Sequence, residues 1–382
     1  MQTTTFLNKC EVLIRMVLLS VALMIIFPPS SFAVDGKGPT LEEKIGQMVM
    51  VGFRGLTVDT HSSIMRDIEA GRVGGVILFD YDVPSASPVR NIKSPGQVKQ
   101  LVASLQGAAS TPLFVAIDQE GGRVCRLKEA YGFPPTVSAQ YLGSLEDVEK
   151  TRQYADVIAG TLASLGINLN CAPVVDLNTN PDNPVIGKLG RSFSADPVVV
   201  ARQAIAVIDA LHDRGILSAI KHFPGHGSSR ADSHKGFVDI TDTWSPEELI
   251  PYDRIIKADR CDMIMTAHVF NGNLDPEWIA TLSSETIHHI LREYMGYEGV
   301  IISDDMQMGA IRDNYNIETA IKRAVLAGVD ILLFANNSVF EEGIASRAGA
   351  ILERLVSEGI LSADRIDASY RRIMELKERL RR

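Results

Sequence analysis

Short apolar runs alternate with amphipathic stretches along most of this 382-residue chain, and that alternation constrains the fold more than any other feature. The runs are Met48–Phe53, Val73–Phe79, Pro112–Ile117, Ile167–Pro173, Ile216–Ile220, Asp262–Ala267, Gly299–Ser303 and Val329–Phe334. Each is too short for an ordinary helix and reads as a buried strand. Helical patterns separate most of them, at Ser94–Ala109, Leu145–Leu165, Pro197–Arg214, Ser245–Ala258, Ser283–Tyr294, Glu318–Ala327 and Val339–Glu358. Strands alternating with helices imply a parallel sheet with helices outside it. Eight such strands predict an α/β chain folded as a single (β/α)8 barrel of the TIM type. A doubly wound sheet is the alternative, but no G-x-G-x-x-G follows the first strand. A last helix, Ala363–Arg381, is expected to close the fold. No Pro-, Gly- or Ser-rich linker follows residue 40, so residues 34–382 read as one domain.

Residues 1–33 read as a secretory signal. Lys9 and Arg15 precede an apolar run, Met16–Phe27, which Pro28 and Pro29 break, and Ser31-Phe32-Ala33 suits a cleavage site. The run falls short of the roughly 20 apolar residues that span a bilayer. The expectation is a periplasmic or secreted protein, cleaved after Ala33 and without stable membrane insertion; an uncleaved anchor is the alternative. The formal net charge of -9 opposes nucleic-acid binding through a basic surface. Outside the signal three cysteines remain, Cys125, Cys171 and Cys261. An odd number is no disulfide framework, and all three are expected to be buried small hydrophobes.

Polar groups cluster where the strands end. Asp118 follows the third run and Asp176 the fourth; Lys221 and His222 end the fifth and His268 the sixth. Asp304 and Asp305 end the seventh, and Asn336 and Asn337 follow the eighth. A barrel gathers these ends on one face, where such enzymes carry their sites. Any one of these residues could instead cap a turn, as Asp305 could. Their convergence favours an enzyme over a binding module.

The densest stretch is Lys221–Gly236, KHFPGHGSSRADSHKG. Pro224, Gly225 and Gly227 rule out a regular helix, so it is expected to be a mobile polar loop. Incidental loop histidines are one reading. A zinc site of His222, His226, Asp232 and His234 is a second, weakened because His222 and His226 need a helix to share a face. The third is catalysis, with Asp232 orienting His234 as a proton carrier.

Four segments carry a resemblance. KHFPGHG…DSH, DQEGGRVCRL (118–127), NPVIGKLGRSFSADP (183–197) and ISDDMQMGA (302–310) together resemble the family 3 glycoside hydrolases, in the β-N-acetylglucosaminidase branch. MTAHV (265–269) and ATLS (280–283) add to it, and the likeness covers roughly residues 40 to 380. It implies a retaining mechanism through a covalent glycosyl-aspartate, with Asp304 as nucleophile, His234 as acid/base and Asp232 as its partner. It implies sugar contacts from Asp118, Arg126, Arg191, Lys221 and His222. For Arg123 and Asp176 a structural role is the alternative to sugar contact, His226 is a candidate for positioning the loop, and His268 a candidate supporting group. Retention needs a nucleophile and a proton donor, usually two carboxylates about 5–5.5 Å apart; here an imidazole takes the donor's part. This chain departs from the pattern at Ser228, where many relatives are acidic, and at Lys235–Val238, where many carry Leu-Pro. The expected activity is exo-hydrolysis of terminal β-linked N-acetylglucosamine from peptidoglycan or its fragments, with a small carbohydrate or muropeptide as substrate and no metal or organic cofactor. The alternatives are a β-glucosidase, a phosphorylase of the same family, or a barrel that binds glycan without turnover. Oligomeric state does not follow from the sequence.

Overall fold

The computed structural model describes residues 38–381, all but the first two of which lie in the unit Thr40–Arg382. The proposed signal, residues 1–33, lies outside the described residues. Eight parallel strands form one sheet: β1 Val49–Gly52, β2 Gly75–Leu78, β3 Phe114–Ile117, β4 Leu169–Asn170, β5 Leu217–Phe223, β6 Met263–Thr266, β7 Val300–Ile302 and β8 Leu332–Phe334. Neighbours follow chain order, with β8 beside β1 (Met50 opposite Leu333) and β1 beside β2 (Val51 opposite Val76). The last seam, β7 to β8, closes through one parallel bridge, Ile302 to Ile331. Seven of the eight apolar runs contain one barrel strand each, and the fifth, Ile216–Ile220, holds the first part of β5.

The strands are buried along their whole length. That is why they read as continuous apolar runs and not as alternating ones: the interior packs one face and the helices the other. Each fully buried Val, Ile or Leu contributes about 1.5–3 kcal/mol of transfer free energy. The outer helices start and stop where local chemistry dictates. Ser94 caps Pro95–Ala108 by accepting from the Gln97 amide, Asp147 caps Val148–Leu165, and Asp196 caps Pro197–His212. Gly166 ends the second of these in a left-handed conformation. The closing helix spans Ala363–Glu378.

Several expectations shift. Short helices at Leu41–Gln47, Ser63–Glu69 and Ala139–Leu145 lack the long apolar period that marked the others. Glu285–Tyr294 is helical as expected but wound with wide, five-residue turns. Strand β5 runs on through Lys221, His222 and Phe223, so the polar pair lies inside the strand. Cys125 and Cys171 are buried, but Cys261 is only partly so. No helix among the described residues is long and apolar enough to cross a membrane.

Candidate active site

A cleft of about 350 Å³ opens at the C-terminal ends of the strands. Asp118, Arg126, Arg191, Lys221, His222, His234 and Asp304 all line it. Asp232 stands behind His234 and accepts from its ring Nδ1 at 2.9 Å. The structure therefore brings together the eight residues to which the resemblance gives catalytic or sugar-binding roles.

The floor is a lattice of alternating charge. Lys221, 2% exposed, donates to Asp118 Oδ1 at 2.7 Å and lies 2.7 Å from Glu120 Oε1. Arg126 donates to Asp118 Oδ2 at 3.0 Å. Arg191 grips Glu120 with two bonds, 2.8 Å from Nε and 2.7 Å from Nη2, and its Nη2 lies 3.4 Å from His222 Nε2. Burial alone would neutralise these groups. It is outweighed at Asp118 by Lys221 and Arg126, which hold that carboxyl well below its ordinary range. At Lys221 the fields of Asp118 and Glu120 overcome the same burial and raise the ammonium. Glu120 is the member the sequence reading missed. Its signal was available: it stands two residues from Asp118, where extended chain turns both side chains to one side.

Asp304 and Asp305 differ sharply. Burial opposes ionisation of Asp304, but His268, His222, His234 and the Asp305 amide outweigh it and hold its carboxyl below the ordinary value. Asp304 Oδ1 accepts from the Asp305 amide at 2.8 Å. Asp305 instead turns toward β8, where its Oδ1 accepts from the amides of Gln307 (3.0 Å) and Ala335 (2.9 Å). Burial pushes it up to about 6 despite those amides. It is a structural turn residue, as its position allowed. His268 is buried between Thr281 Oγ1 and the Asp305 carbonyl, and burial drives it toward its neutral form.

The stretch Lys221–Gly236 is two things, not one mobile loop. Its first half is buried. Asp176, fully buried, accepts from His222 Nδ1 at 2.6 Å and from the His226 amide at 2.8 Å. Gly227 passes so close to the Leu177 carbonyl that a Cβ would sit 1.7 Å from its oxygen, which explains the glycine. His226 spends its two ring nitrogens on Ser229 Oγ (2.8 Å) and Ser233 Oγ (3.1 Å). Only beyond Ser229 does the segment reach solvent, and the His234 side chain is 58% exposed. Desolvation of the imidazole is overcome by its bond to Asp232 and by the charges of Asp304 and Asp232, so its pKa is raised. Nδ1 is held by Asp232, which leaves Nε2 to face the cleft. The four residues of the zinc reading are not gathered: His222 binds Asp176, His226 binds serines and His234 binds Asp232. Arg123 sits exposed at the turn between the hairpin strands Gln119–Gly121 and Val124–Cys125.

Known proteins resemble this chain over most of its length. The chain is 36% identical over 336 residues to a β-hexosaminidase A of Pseudoalteromonas piscicida, covering 81% of this chain and 54% of that one. It is 35% identical to a β-hexosaminidase of Xylella fastidiosa (strain M23), covering 85% of this chain and 95% of the relative. A solved family 3 β-N-acetylglucosaminidase from Paenibacillus sp. superposes with a TM-score of 0.82 at 36% identity, over 90% of this chain and 63% of that one. The chain thus spans about half of the Pseudoalteromonas relative and under two thirds of the Paenibacillus protein, but nearly all of the Xylella one. The model of the glycosyl hydrolase family 3 N-terminal domain matches residues 40–376, and the chain belongs to that family.

Proposed function

We propose that this protein is an exo-acting, retaining β-N-acetylglucosaminidase that removes terminal β-linked N-acetylglucosamine, with peptidoglycan or its fragments as the natural source. The observation that carries the reading is a single cleft lined by both Asp304 and His234, with Asp232 at 2.9 Å behind the imidazole. The names of the β-hexosaminidase relatives support the sugar class.

The electrostatics suit the first step. Asp304 is favoured as a carboxylate and His234 as an imidazolium, each by the field of the other. Asp304 attacks the anomeric carbon while His234 passes its Nε2 proton to the glycosidic oxygen. The bond from C1 to the leaving oxygen breaks and an ester bond from C1 to Asp304 forms. In the second step the neutral imidazole takes a proton from water, the water oxygen bonds C1, and Asp304 departs as a carboxylate. Two inversions return the β configuration. Asp118, Arg126, Arg191, Lys221 and His222 hold the sugar hydroxyls, which offer both donors and acceptors. The two steps balance with water alone, so no metal or cofactor enters the scheme. Residues 1–33 direct export to the periplasm or beyond; protein from the native host should then begin at Val34 by intact mass.

Phenol release from an aryl β-N-acetylglucosaminide tests the activity, beside the matching aryl β-glucoside and with or without inorganic phosphate. We expect turnover of the first, independent of phosphate, and a loss on the order of 10⁴-fold in Asp304→Ala. Faster glucoside cleavage would mean another specificity, phosphate dependence a phosphorylase, and binding without release a non-catalytic barrel.

A further inference from the structure

The segment that carries His234 is fastened to the segment that carries Asp304. After Asp304 the chain turns through Met308 into a short helix, Gly309–Arg312. The first amides of a helix lack partners within it, and Met308 caps none of them through its side chain. Here the partners come from the other loop. The Gly309 amide donates to the His234 carbonyl at 3.2 Å, and the Ala310 amide to the Ser233 carbonyl at 3.1 Å. Ser233 is 2% exposed, and its hydroxyl is held in turn by His226. The backbone of the Asp232–His234 pair is thus pinned from two sides, although the imidazole itself reaches solvent.

Gly309 makes the approach possible. A Cβ there would lie 2.8 Å from the Lys235 carbonyl carbon and 2.9 Å from both the Gly236 nitrogen and the His234 oxygen. All three are backbone atoms, which cannot swing aside as a side-chain end would. Gly309 does not need its glycine for a left-handed backbone, because its φ is not positive. Close approach is the one demand on it.

We propose that Gly309 is the positioning residue of the acid/base: it lets the segment after the nucleophile seat the His234 loop over the cleft, with Ser233 and His226 as the second anchor. The proposal rests on the roles assigned to His234 and Asp304 above. Gly309→Ala should push the loop outward without touching either catalytic side chain. A displacement on the order of 1 Å at a reacting group can cost about 100-fold. That cost should fall only where proton donation matters.

The test is a series of aryl β-N-acetylglucosaminides whose phenols range from very acidic to weakly acidic, measured as kcat/KM in the full chain. Wild type should depend weakly on the leaving group. Gly309→Ala should fall about 100-fold on the least acidic phenols and only a few-fold on dinitrophenol, approaching the steep dependence of His234→Ala. Ser233→Ala, which removes only the hydroxyl held by His226, should give a smaller change of the same kind. A uniform loss across the series in folded Gly309→Ala, its slope unchanged from wild type, would overturn the latch. If that variant does not fold, the slope of Ser233→Ala decides in the same way. A wild type that releases no phenol from any member would overturn the proposed activity instead, so the two failures are distinct.

Discussion

At the scale of single residues, the cleft separates neighbours that look alike on paper. Asp304 and Asp305 are adjacent, yet one lies among imidazoles and the other accepts amides from β8. His222, His226 and His234 share a sixteen-residue stretch, yet only His234 combines solvent access with a carboxylate on Nδ1. Protonation sets the pH behaviour. Glycosylation needs His234 protonated, so kcat/KM should fall as pH rises through its pKa, which lies above the ordinary 6.5. The bond to Asp232 is the largest influence raising it. Asp232→Asn should therefore move the alkaline limb of the kcat/KM profile to lower pH; an unmoved limb would detach Asp232 from the imidazole. The acidic partner Glu120 shows why charge type alone did not reveal every member. Its role depends on Arg191, 71 positions away, and on Lys221, which only folding brings beside it.

At the scale of elements, the loop after β5 owes its stiffness to what lies beneath. Glu248, in the short helical turn Pro246–Leu249, is 1% exposed and accepts from the Gly227 amide at 3.3 Å. Gly225 leaves no room for a side chain, since a Cβ would lie 2.3 Å from Glu248 Oε2. Burial pushes the Glu248 carboxyl up to about 8 from 4.5. Between those values the unfolded chain gives up the proton while the folded chain keeps it, so this group makes stability fall as pH rises. Glu248→Gln keeps an acceptor for Gly227 and removes the titration. Urea unfolding should find the variant gaining on wild type steadily from pH 4.5 to pH 8. A stability difference that stays flat over that window would mean the carboxyl is ionised in the folded protein. Ser228 lies against this same carboxyl.

At the scale of the whole molecule, the barrel is held shut from below. Asp330, fully buried beside the β7–β8 seam, accepts from Arg292 Nη2 (2.7 Å), Ser369 Oγ (2.6 Å), Arg372 Nη1 (3.3 Å) and the Ile301 amide (3.0 Å). Arg365 stands 3.5 Å from it. One carboxylate thus joins the seam, the wide-turned helix and the closing helix. Removing it leaves several guanidinium groups without their counter-charge, Arg292 among them at 9% exposure. Asp330→Ala should cost about 3–5 kcal/mol in urea unfolding, the usual penalty for breaking a buried ion pair from one side. A loss below about 1 kcal/mol would show that the seam does not depend on this hub.

The chain's own pattern determined the barrel, because eight buried strands and their helices leave a local periodicity that needs no knowledge of distant contacts. It also pointed to Asp118, Lys221, His222 and Asp304, because parallel closure sends every strand's C-terminal end to one face; Arg126 and Arg191 came from the family resemblance alone. Tertiary structure alone decided the rest. Where β5 ends depends on hydrogen bonds to Val175 and Ala267 that hold Lys221 and Phe223 in the sheet. Which half of the histidine segment is buried depends on Asp176, Leu177 and Glu248, all outside the segment. That the acid/base loop is pinned depends on two amides 75 and more positions downstream. Local pattern records what a residue's neighbours along the chain demand; hydrogen bonds, desolvation and close approach between distant segments exist only once the barrel has closed.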